Sequence, residues 1–262
     1  MATSGTANAQ RSWELAARAG YAVSGVLHVL IGVLALRVAF GSGGEQADQS
    51  GALSTIASTP FGAVVLWFSV VAFVALGAWQ VAKAIHGGFG SGGSGERAKA
   101  AGRAAVYLAL AFTALTFARG GGSDASAQTS DMTAKLMSAP FGRVLVGAVG
   151  LAIIGVGIYH VIKGWKKKFL QDLHRLPSGS AGPVARRLGV LGYVTKGVAL
   201  GIVGVLFVTA AVTADPSKST GLDGALHTLR DQPAGMFLLV IVALGFIAYG
   251  AYSFVRARYG RI

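Results

Sequence analysis

Six long apolar stretches constrain the fold of this 262-residue chain more than any other feature. A helix needs about 20 mostly apolar residues to cross a bilayer core, because lipid offers no hydrogen-bond partner to the backbone. Only 13% of the residues are charged, against roughly 25% in soluble domains. The sequence therefore predicts an all-α membrane protein with six transmembrane helices. The stretches cover residues 21–40, 61–85, 102–118, 141–162, 188–213 and 234–255.

The basic residues gather on one side of the predicted membrane. Of the 23 Lys and Arg, 17 lie on this side: in the segment before span one, in the connections after spans two and four, in the segment after span six, and at Lys196. The same regions hold three of the 10 acids. Short loops rich in Lys and Arg stay in the cytoplasm. We therefore expect both the N- and the C-terminus of this multi-pass protein to be cytoplasmic.

The net charge of +13 suits either nucleic acid or anionic lipid. The basic residues lie beside helix ends and next to aromatic residues, an arrangement typical of an anionic lipid surface. The sequence holds no motif of an RNA- or DNA-binding domain. We expect Lys166, Lys167 and Lys168, the densest basic run, to contact lipid headgroups, and we expect no nucleic acid partner.

One pattern, P-[FA]-G-x14-G-x-[WY]-x3-[KR], occurs three times, beginning at Pro60, Pro140 and Pro233. Each copy opens an even-numbered span, where proline suits the first helical turn. Two spans per copy keep all three copies in one orientation, so their symmetry axis runs along the membrane normal. The sequence predicts three tandem helical hairpins with pseudo-threefold symmetry.

Further features of the odd spans and outer loops follow the same repeat. Gly25 in the first copy corresponds to Gly197 in the third copy, and Gly102 is their counterpart in the middle copy. Such small residues let membrane helices approach closely. Short amphipathic helices are predicted before each proline, over residues 51–58, 131–138 and 224–230.

The repeat divides the chain into six segments. They are an N-terminal cytoplasmic segment (1–17), repeat 1 (18–87), a Gly/Ser linker (88–96), repeat 2 (97–167), a basic cytoplasmic loop (168–185) and repeat 3 (186–262).

Several motifs resemble one known family. They are Gly-Tyr in the first and fifth spans, Gly-Ala-Leu before two of the prolines, and the ending Tyr249-Gly250-Ala251-Tyr252-x3-Arg256-Ala257-Arg258-Tyr259. From Arg18 to Ile262 the chain resembles the bacterial, chiefly actinobacterial, membrane proteins of the domain of unknown function 1206 family. The resemblance implies a six-helix protein of the bacterial plasma membrane, and it supplies no activity, cofactor or catalytic residue.

Ionisable residues inside membrane spans are costly, and they mark candidate functional sites. His28 and Lys196 are the two that lie clearly inside, and Lys196 aligns with Ser24 of repeat 1. One hypothesis is a polar vestibule that binds an anionic headgroup or a small anion. The alternative is that Lys196 extends past its own helix end while His28 bonds a backbone carbonyl. The candidate residues are Tyr21, Ser24, His28, Tyr193 and Lys196.

Gln80, His160 and Ser253 share one repeat position near the cytoplasmic boundary. They could form a polar ring around an axial opening, or they could be ordinary interfacial polar residues.

Function is less constrained than fold. The chain has no cysteine, and we find no catalytic motif, no metal site, no resident cofactor and no Asp or Glu inside a span. We therefore expect a non-enzymatic scaffold or accessory protein that binds anionic lipid, a membrane-protein partner or a second copy of itself. The alternatives are a pore or carrier along the axis for a small solute, either anionic or uncharged, and a redox protein with a haem between His28 and His160.

Overall fold

The structure is a computed structural model that describes residues 3–41, 46–86, 94–122 and 124–261. Side chains of residues 3–17, 86, 94, 96 and 99 also lie outside this description. The predicted N-terminal segment and most of the predicted linker, residues 88–93, therefore fall outside the described side chains. Residues 94–96 of that linker are helical.

The described chain is almost entirely helical, with short 3-10 turns at Lys168–Asp172 and Pro216–Lys218. Its α-helices are α1 (Thr3–Ala39), α2 (Gln49–Ala57), α3 (Gly62–His86), α4 (Ser94–Ala118), α5 (Ala125–Met137), α6 (Gly142–Trp165), α7 (Ala181–Thr213), α8 (Gly221–Arg230) and α9 (Gly235–Tyr259).

Six of these helices, α1, α3, α4, α6, α7 and α9, are long and apolar enough to cross a membrane. This confirms the six predicted spans. Helix α7 starts seven residues before the predicted boundary at Leu188, because the basic residues that follow Ala181 lie on a helical turn rather than in a loop. The third span is the C-terminal part of the 25-residue helix α4.

The chain forms two compact packing units, each described here by itself. The smaller unit, Leu53–Ser123, contains α3 packed against α4. The larger unit, Met1–Ala52 with Asp124–Ile262, contains the pairs α1 and α9, α6 and α7, and α7 and α9. Each even span thus packs mainly on the odd span of the next repeat, and the last packs on the first. The pseudo-threefold axis itself stays a prediction.

Glycines bring the backbones of the paired spans together. A Cβ on Gly157 would lie 2.7 Å from the carbonyl oxygen of Gly197, and one on Gly197 would lie 2.5 Å from that of Gly157. Gly25 and Gly250 face each other in the same way, at 3.0 and 2.7 Å. The two contacts occupy equivalent positions of the repeat, so α6 with α7 and α9 with α1 use one packing solution.

The middle repeat uses alanine at this position. A Cβ on Gly102 would meet no atom within 4 Å, so the prediction that Gly102 matches Gly25 and Gly197 is wrong. Gly77, the even-span glycine of repeat 1, faces Leu108, which lies four positions after Ala104. In repeats 1 and 3, the residues that face an even-span glycine are Val29 and Gly201, four positions after Gly25 and Gly197. Ala104, which is buried, is therefore the true counterpart, because its methyl group is small enough for the same close packing.

Each proline of the repeat lies in a tight turn before the even span. The glycine two positions after the proline donates its N–H to the carbonyl of the residue that precedes the proline, at 2.9, 2.9 and 2.7 Å in the three copies. Phe141 and Ala234, which directly follow two of the prolines, have a left-handed φ of 60°, which makes these type II turns. The predicted place of proline in the first helical turn is wrong, because the helix begins two residues later at glycine.

Helices α2, α5 and α8 confirm that a short helix precedes each proline, and each starts earlier than predicted. Their amphipathic character stays a prediction. Helix α5 begins at Ala125 because the Asp124 carboxylate accepts the N–H of Ala127 at 2.9 Å. Helix α2 begins after Asp48, whose carboxylate accepts the N–H groups of Ser50 and Gly51 at 2.8 and 3.1 Å. Both are side-chain N-caps.

The main core of the larger unit lies at the end of its spans where α1 ends and α9 begins. It joins α1, α9 and α7 with the short helices α2 and α8, and its most deeply buried side chains include Leu34, Val38, Leu226 and Leu239. The opposite end, where α1 and α7 begin and α6 and α9 end, is called here the basic end. A second, aromatic core lies there, formed by Phe169, Leu173, Tyr193 and Tyr252.

Candidate functional site

The ammonium of Lys196 and the imidazole of His28 meet between α7 and α1. The Lys196 Nζ lies 3.3 Å from His28 Nε2. His28 Nδ1 lies 2.7 Å from the backbone oxygen of Ser24 and 3.4 Å from its hydroxyl oxygen. A carbonyl oxygen only accepts, so Nδ1 carries a proton, and Nε2 of the neutral ring accepts a hydrogen bond from Lys196.

Helix α9 supplies the aromatic wall of this pair. The Lys196 Nζ lies 4.4 Å from the ring centroid of Tyr249, and the His28 ring lies 4.6 Å from the same centroid. Phe246 lies one turn further, at 6.2 Å from His28. The electron-rich face of Tyr249 therefore stabilises the Lys196 charge. In the described part of the chain, no ion pair gives Lys196 a carboxylate partner.

Tyr193 is the centre of the aromatic core at the basic end. Its ring stacks on Phe169 at 5.4 Å and meets Tyr249 and Tyr252 edge-on at 5.2 and 5.8 Å. The Tyr252 hydroxyl donates to the carbonyl oxygen of Phe169 at 3.0 Å. Phe169, Tyr252 and Tyr193 are 0%, 1% and 2% exposed, so this level of the larger unit is filled by rings rather than open.

A layer of charges lies beside the aromatic core. The Asp172 carboxylate forms ion pairs with Lys163 at 2.7 Å and with Arg256 at 3.4 Å. Arg256 also donates to the Tyr193 hydroxyl at 3.2 Å and lies over the Tyr21 ring at 4.4 Å. Lys163 and Arg256 are the equivalent bases of repeats 2 and 3, so one carboxylate joins the same position of two copies.

The five predicted site residues fall into two neighbouring layers. Ser24, His28 and Lys196 form the first layer, whereas Tyr21 and Tyr193 are joined through Arg256 in the second. Tyr249 connects the layers, because its ring contacts His28, Lys196 and Tyr193. That these residues bind an anion stays a prediction.

The three residues at the equivalent polar position make mostly local contacts. His160 Nδ1 bonds the carbonyl of Val156 at 2.8 Å, and its ring stacks on Tyr193 at 5.9 Å. The Ser253 hydroxyl bonds the carbonyl of Tyr249 at 2.9 Å. Gln80 lies in the smaller unit, and its buried Oε1 has no partner among the described residues. The predicted ring stays a prediction.

A haem between His28 and His160 does not fit the residues present. A chain of ring contacts through Tyr249 and Tyr193 links the two histidines and takes the room that a haem plane needs. Among the described residues, no group of three His, Cys, Asp or Glu side chains could hold a metal ion.

Sequence reasoning missed Tyr249, Phe169, Arg256 and Asp172 as members of this site. A signal existed for each. Tyr252 lies three residues after Tyr249, and Arg256 lies four residues after Tyr252. This spacing places all three on one face of a helix. Asp172 is the one acid in the connection 166–187, and Phe169 directly follows the lysine run.

Comparison with known proteins places these features in a family. The family model described as Domain of Unknown Function (DUF1206) matches residues 19–87, 98–167 and 191–260. Each match begins six residues before the packing position at Gly25, Ala104 or Gly197, in agreement with the alignment above. No solved structure matches the chain.

A curated relative shows the same likeness over nearly the whole chain. The "Uncharacterized protein YxxB" of Bacillus subtilis (strain 168) is 32% identical over 247 residues, which are 92% of this chain and 89% of the relative. With three tandem matches and six spans, the chain belongs to the DUF1206 family of membrane proteins.

Proposed function

We propose that this multi-pass membrane protein is a non-enzymatic scaffold whose basic end faces the cytoplasm and holds anionic lipid headgroups. The observation that carries the proposal is the exposed lysine run that follows α6. Lys166, Lys167 and Lys168 are all exposed, and Trp165 before them is 77% exposed. Lysines with an interfacial tryptophan are typical of contact with an anionic membrane surface.

The lysine run is held in a defined place. Lys167 has a left-handed φ of 56° and donates its N–H to the carbonyl of Gly164 at 3.0 Å, which ends α6. Phe169, directly after the run, is fully buried in the aromatic core. The three ammonium groups therefore start from an ordered backbone, so that less conformational entropy is lost when they bind lipid.

Dense packing supports a scaffold rather than a pore. The paired spans meet through glycine backbones, and the rings of Tyr193, Tyr252 and Phe169 fill the basic end of the larger unit.

The experiment compares two triple variants of equal charge. Protein is extracted from vesicles of phosphatidylglycerol and phosphatidylcholine in equal amounts, and the retained lipids are counted by native mass spectrometry. We expect Lys166→Gln, Lys167→Gln and Lys168→Gln together to lower the ratio of retained phosphatidylglycerol at least about tenfold, since each lysine near an anionic surface contributes about 1 kcal/mol and a factor of ten corresponds to about 1.4 kcal/mol. The control variant, with glutamine at exposed Lys135, Lys218 and Arg230, removes three charges from the other end of the larger unit.

An unchanged ratio in the first variant, or an equal fall in both, would refute lipid binding through the lysine run. Thermal unfolding of both variants in detergent shows that the fold is kept.

A second candidate function is a carrier for a small anion, and one observation favours it. Lys196 is charged, lies within a span and has an imidazole and a ring as neighbours rather than a carboxylate. A carrier predicts chloride flux into proteoliposomes, read by a chloride-quenched dye, that is lost in Lys196→Leu. The scaffold predicts no flux above that of protein-free vesicles in either protein.

A further inference from the structure

A cleft lined by three arginines opens at the basic end of the larger unit. Its volume is about 530 Å³, and its walls come from the middle of α1, the loop before α7 and the end of α9. Arg18 is the first residue of one span and Tyr259 the last residue of another, so the cleft lies at the level where the spans leave the apolar layer. The lining residues are Arg18, His174, Arg175, Arg258 and Tyr259.

Backbone pairing fixes the loop wall against the end of α9. Leu173 and Gly260 form an antiparallel bridge, and the His174 N–H donates to the Tyr259 carbonyl at 2.8 Å. Arg261 strengthens the pairing, because its N–H donates to Asp172 O at 2.8 Å and its Nε to Leu173 O at 3.0 Å. The backbone of two walls of the cleft is therefore preorganised.

The arginines are placed to receive an anion. Arg175 and Arg258 lie 5.9 and 5.8 Å from the ring of Tyr259, which orients both guanidinium groups. Arg18 uses Nη1 to bond the carbonyls of Arg258 and Ala257 at 2.8 and 3.4 Å, and its Nε and Nη2 remain as donors. No ion pair among the described residues involves these three arginines.

We infer that this cleft is a specific phosphate site, which takes the phosphodiester of an anionic lipid headgroup or a free phosphate. Guanidinium forks match phosphate oxygens with paired, charge-assisted hydrogen bonds, and the volume lies within the about 300–1,000 Å³ of small-ligand sites. The inference deepens the proposed function and rests on it for the cytoplasmic side and the lipid source. It differs in predicting recognition of one phosphate group rather than attraction to a charged surface.

The test measures binding of two soluble probes to the detergent-purified protein by calorimetry. The probes are dihexanoyl phosphatidylglycerol, below its micelle concentration, and inorganic phosphate. We expect Arg175→Gln with Arg258→Gln to weaken binding at least about tenfold, because two charge-assisted forks are lost. The pair Arg175→Lys with Arg258→Lys keeps the charge but loses the fork geometry, so its loss falls between that of the glutamine pair and the unchanged protein.

The matched control is Arg186→Gln with Arg187→Gln, two exposed arginines at the same end but outside the cleft. We expect this control to bind within about twofold of the unchanged protein, as surface charges are screened in salt. Equal loss in cleft and control variants, or full binding by the lysine pair, overturns a specific phosphate site. Binding of phosphatidylglycerol alone assigns the lipid as the source, and equal or tighter binding of inorganic phosphate assigns free phosphate.

The outcome is separable from that of the proposed function. Loss of lipid retention in the Lys166–Lys168 variant with intact probe binding supports both sites. If retention is unaffected by those lysines but probe binding requires Arg175 and Arg258, the scaffold proposal fails while the cleft stands.

Discussion

The Nζ atom of Lys196 lies 3.3 Å from Nε2 of His28, so a hydrogen bond joins two spans through residues that are 168 positions apart in sequence. Repeat 3 supplies the lysine and repeat 1 the histidine. The Tyr249 ring covers both groups. Helix α9 thus provides the environment in which a charge can remain inside a membrane helix bundle.

Replacement of Tyr249 separates the role of its ring from that of its hydroxyl. Tyr249→Phe keeps the ring over Lys196 and loses the hydrogen bond of the hydroxyl with the Tyr193 side chain, so we expect a small fall in the thermal midpoint in detergent. Tyr249→Leu removes the ring and should lower the free energy of unfolding by about 1–2 kcal/mol. Adding Lys196→Leu to Tyr249→Leu should recover part of this loss, since no charge then needs the ring. Equal effects of the phenylalanine and leucine variants would contradict the cation–π contact.

The glycine contact between α6 and α7 predicts a difference between two positions of one helix. Gly157→Ala should destabilise the protein by about 1–3 kcal/mol, because the new methyl group meets the Gly197 carbonyl and the helices must separate. Gly155→Ala is the matched control, since a Cβ there meets nothing within 4 Å. Thermal unfolding should show a lower midpoint for Gly157→Ala alone, and a similar fall in Gly155→Ala would argue against close packing.

Ala234 tests the turn that precedes α9. Its φ of 60° is unfavourable for a residue with a Cβ, so Ala234→Gly should stabilise the protein by about 0.5–1 kcal/mol. Ala234→Val should destabilise it, because a β-branched side chain fits a left-handed backbone poorly. The order Gly, Ala, Val in the thermal midpoint is the expected result, and the reverse order would exclude the type II turn.

Asp48 makes stability depend on pH. Burial, with help from Asp223 and Asp124, raises the pKa of the Asp48 carboxyl above its usual range, although the N–H groups of Gly51 and Ser50 act in the opposite direction. The folded protein therefore holds this proton to a higher pH than the unfolded chain does. Its stabilising contribution is present below the unfolded pKa and is lost as the pH rises through the folded pKa.

Asp48→Asn keeps an oxygen for the N-cap of α2 and carries no charge. We expect its thermal midpoint, relative to the unchanged protein, to rise as the pH is raised from 4 to 7.5. Asp48→Ala removes the cap and should be less stable than Asp48→Asn at every pH. A difference between the asparagine variant and the unchanged protein that does not vary with pH would contradict the raised pKa.

The six spans and the repeat could be predicted because they depend on long stretches of sequence. Apolar length identifies a membrane helix whatever it packs against, and the spacing from proline to glycine, aromatic and base survives in all three copies. The family match confirms this repeat.

Contacts between distant residues were harder to predict. Gly102 and Ala104 are both small, and only the position of Leu108 opposite Gly77 shows which of them is the packing residue. The cleft joins Arg18, Arg175 and Arg258 from three separate segments, and in sequence each is one basic residue among many. The pairing of Leu173 with Gly260 brings the last two together, and no local pattern predicts it.

We expect the basic end to face the cytoplasm, and both the lysine run and the arginine-lined cleft lie at this end. The chain has no native cysteine, so single cysteines can be labelled with a membrane-impermeant maleimide in intact cells. Ser178 lies at the basic end and Ser138 at the other, and both are exposed. We predict that Ser138→Cys is labelled in intact cells, whereas Ser178→Cys is labelled only in inverted vesicles. Labelling of Ser178→Cys from outside would contradict this orientation.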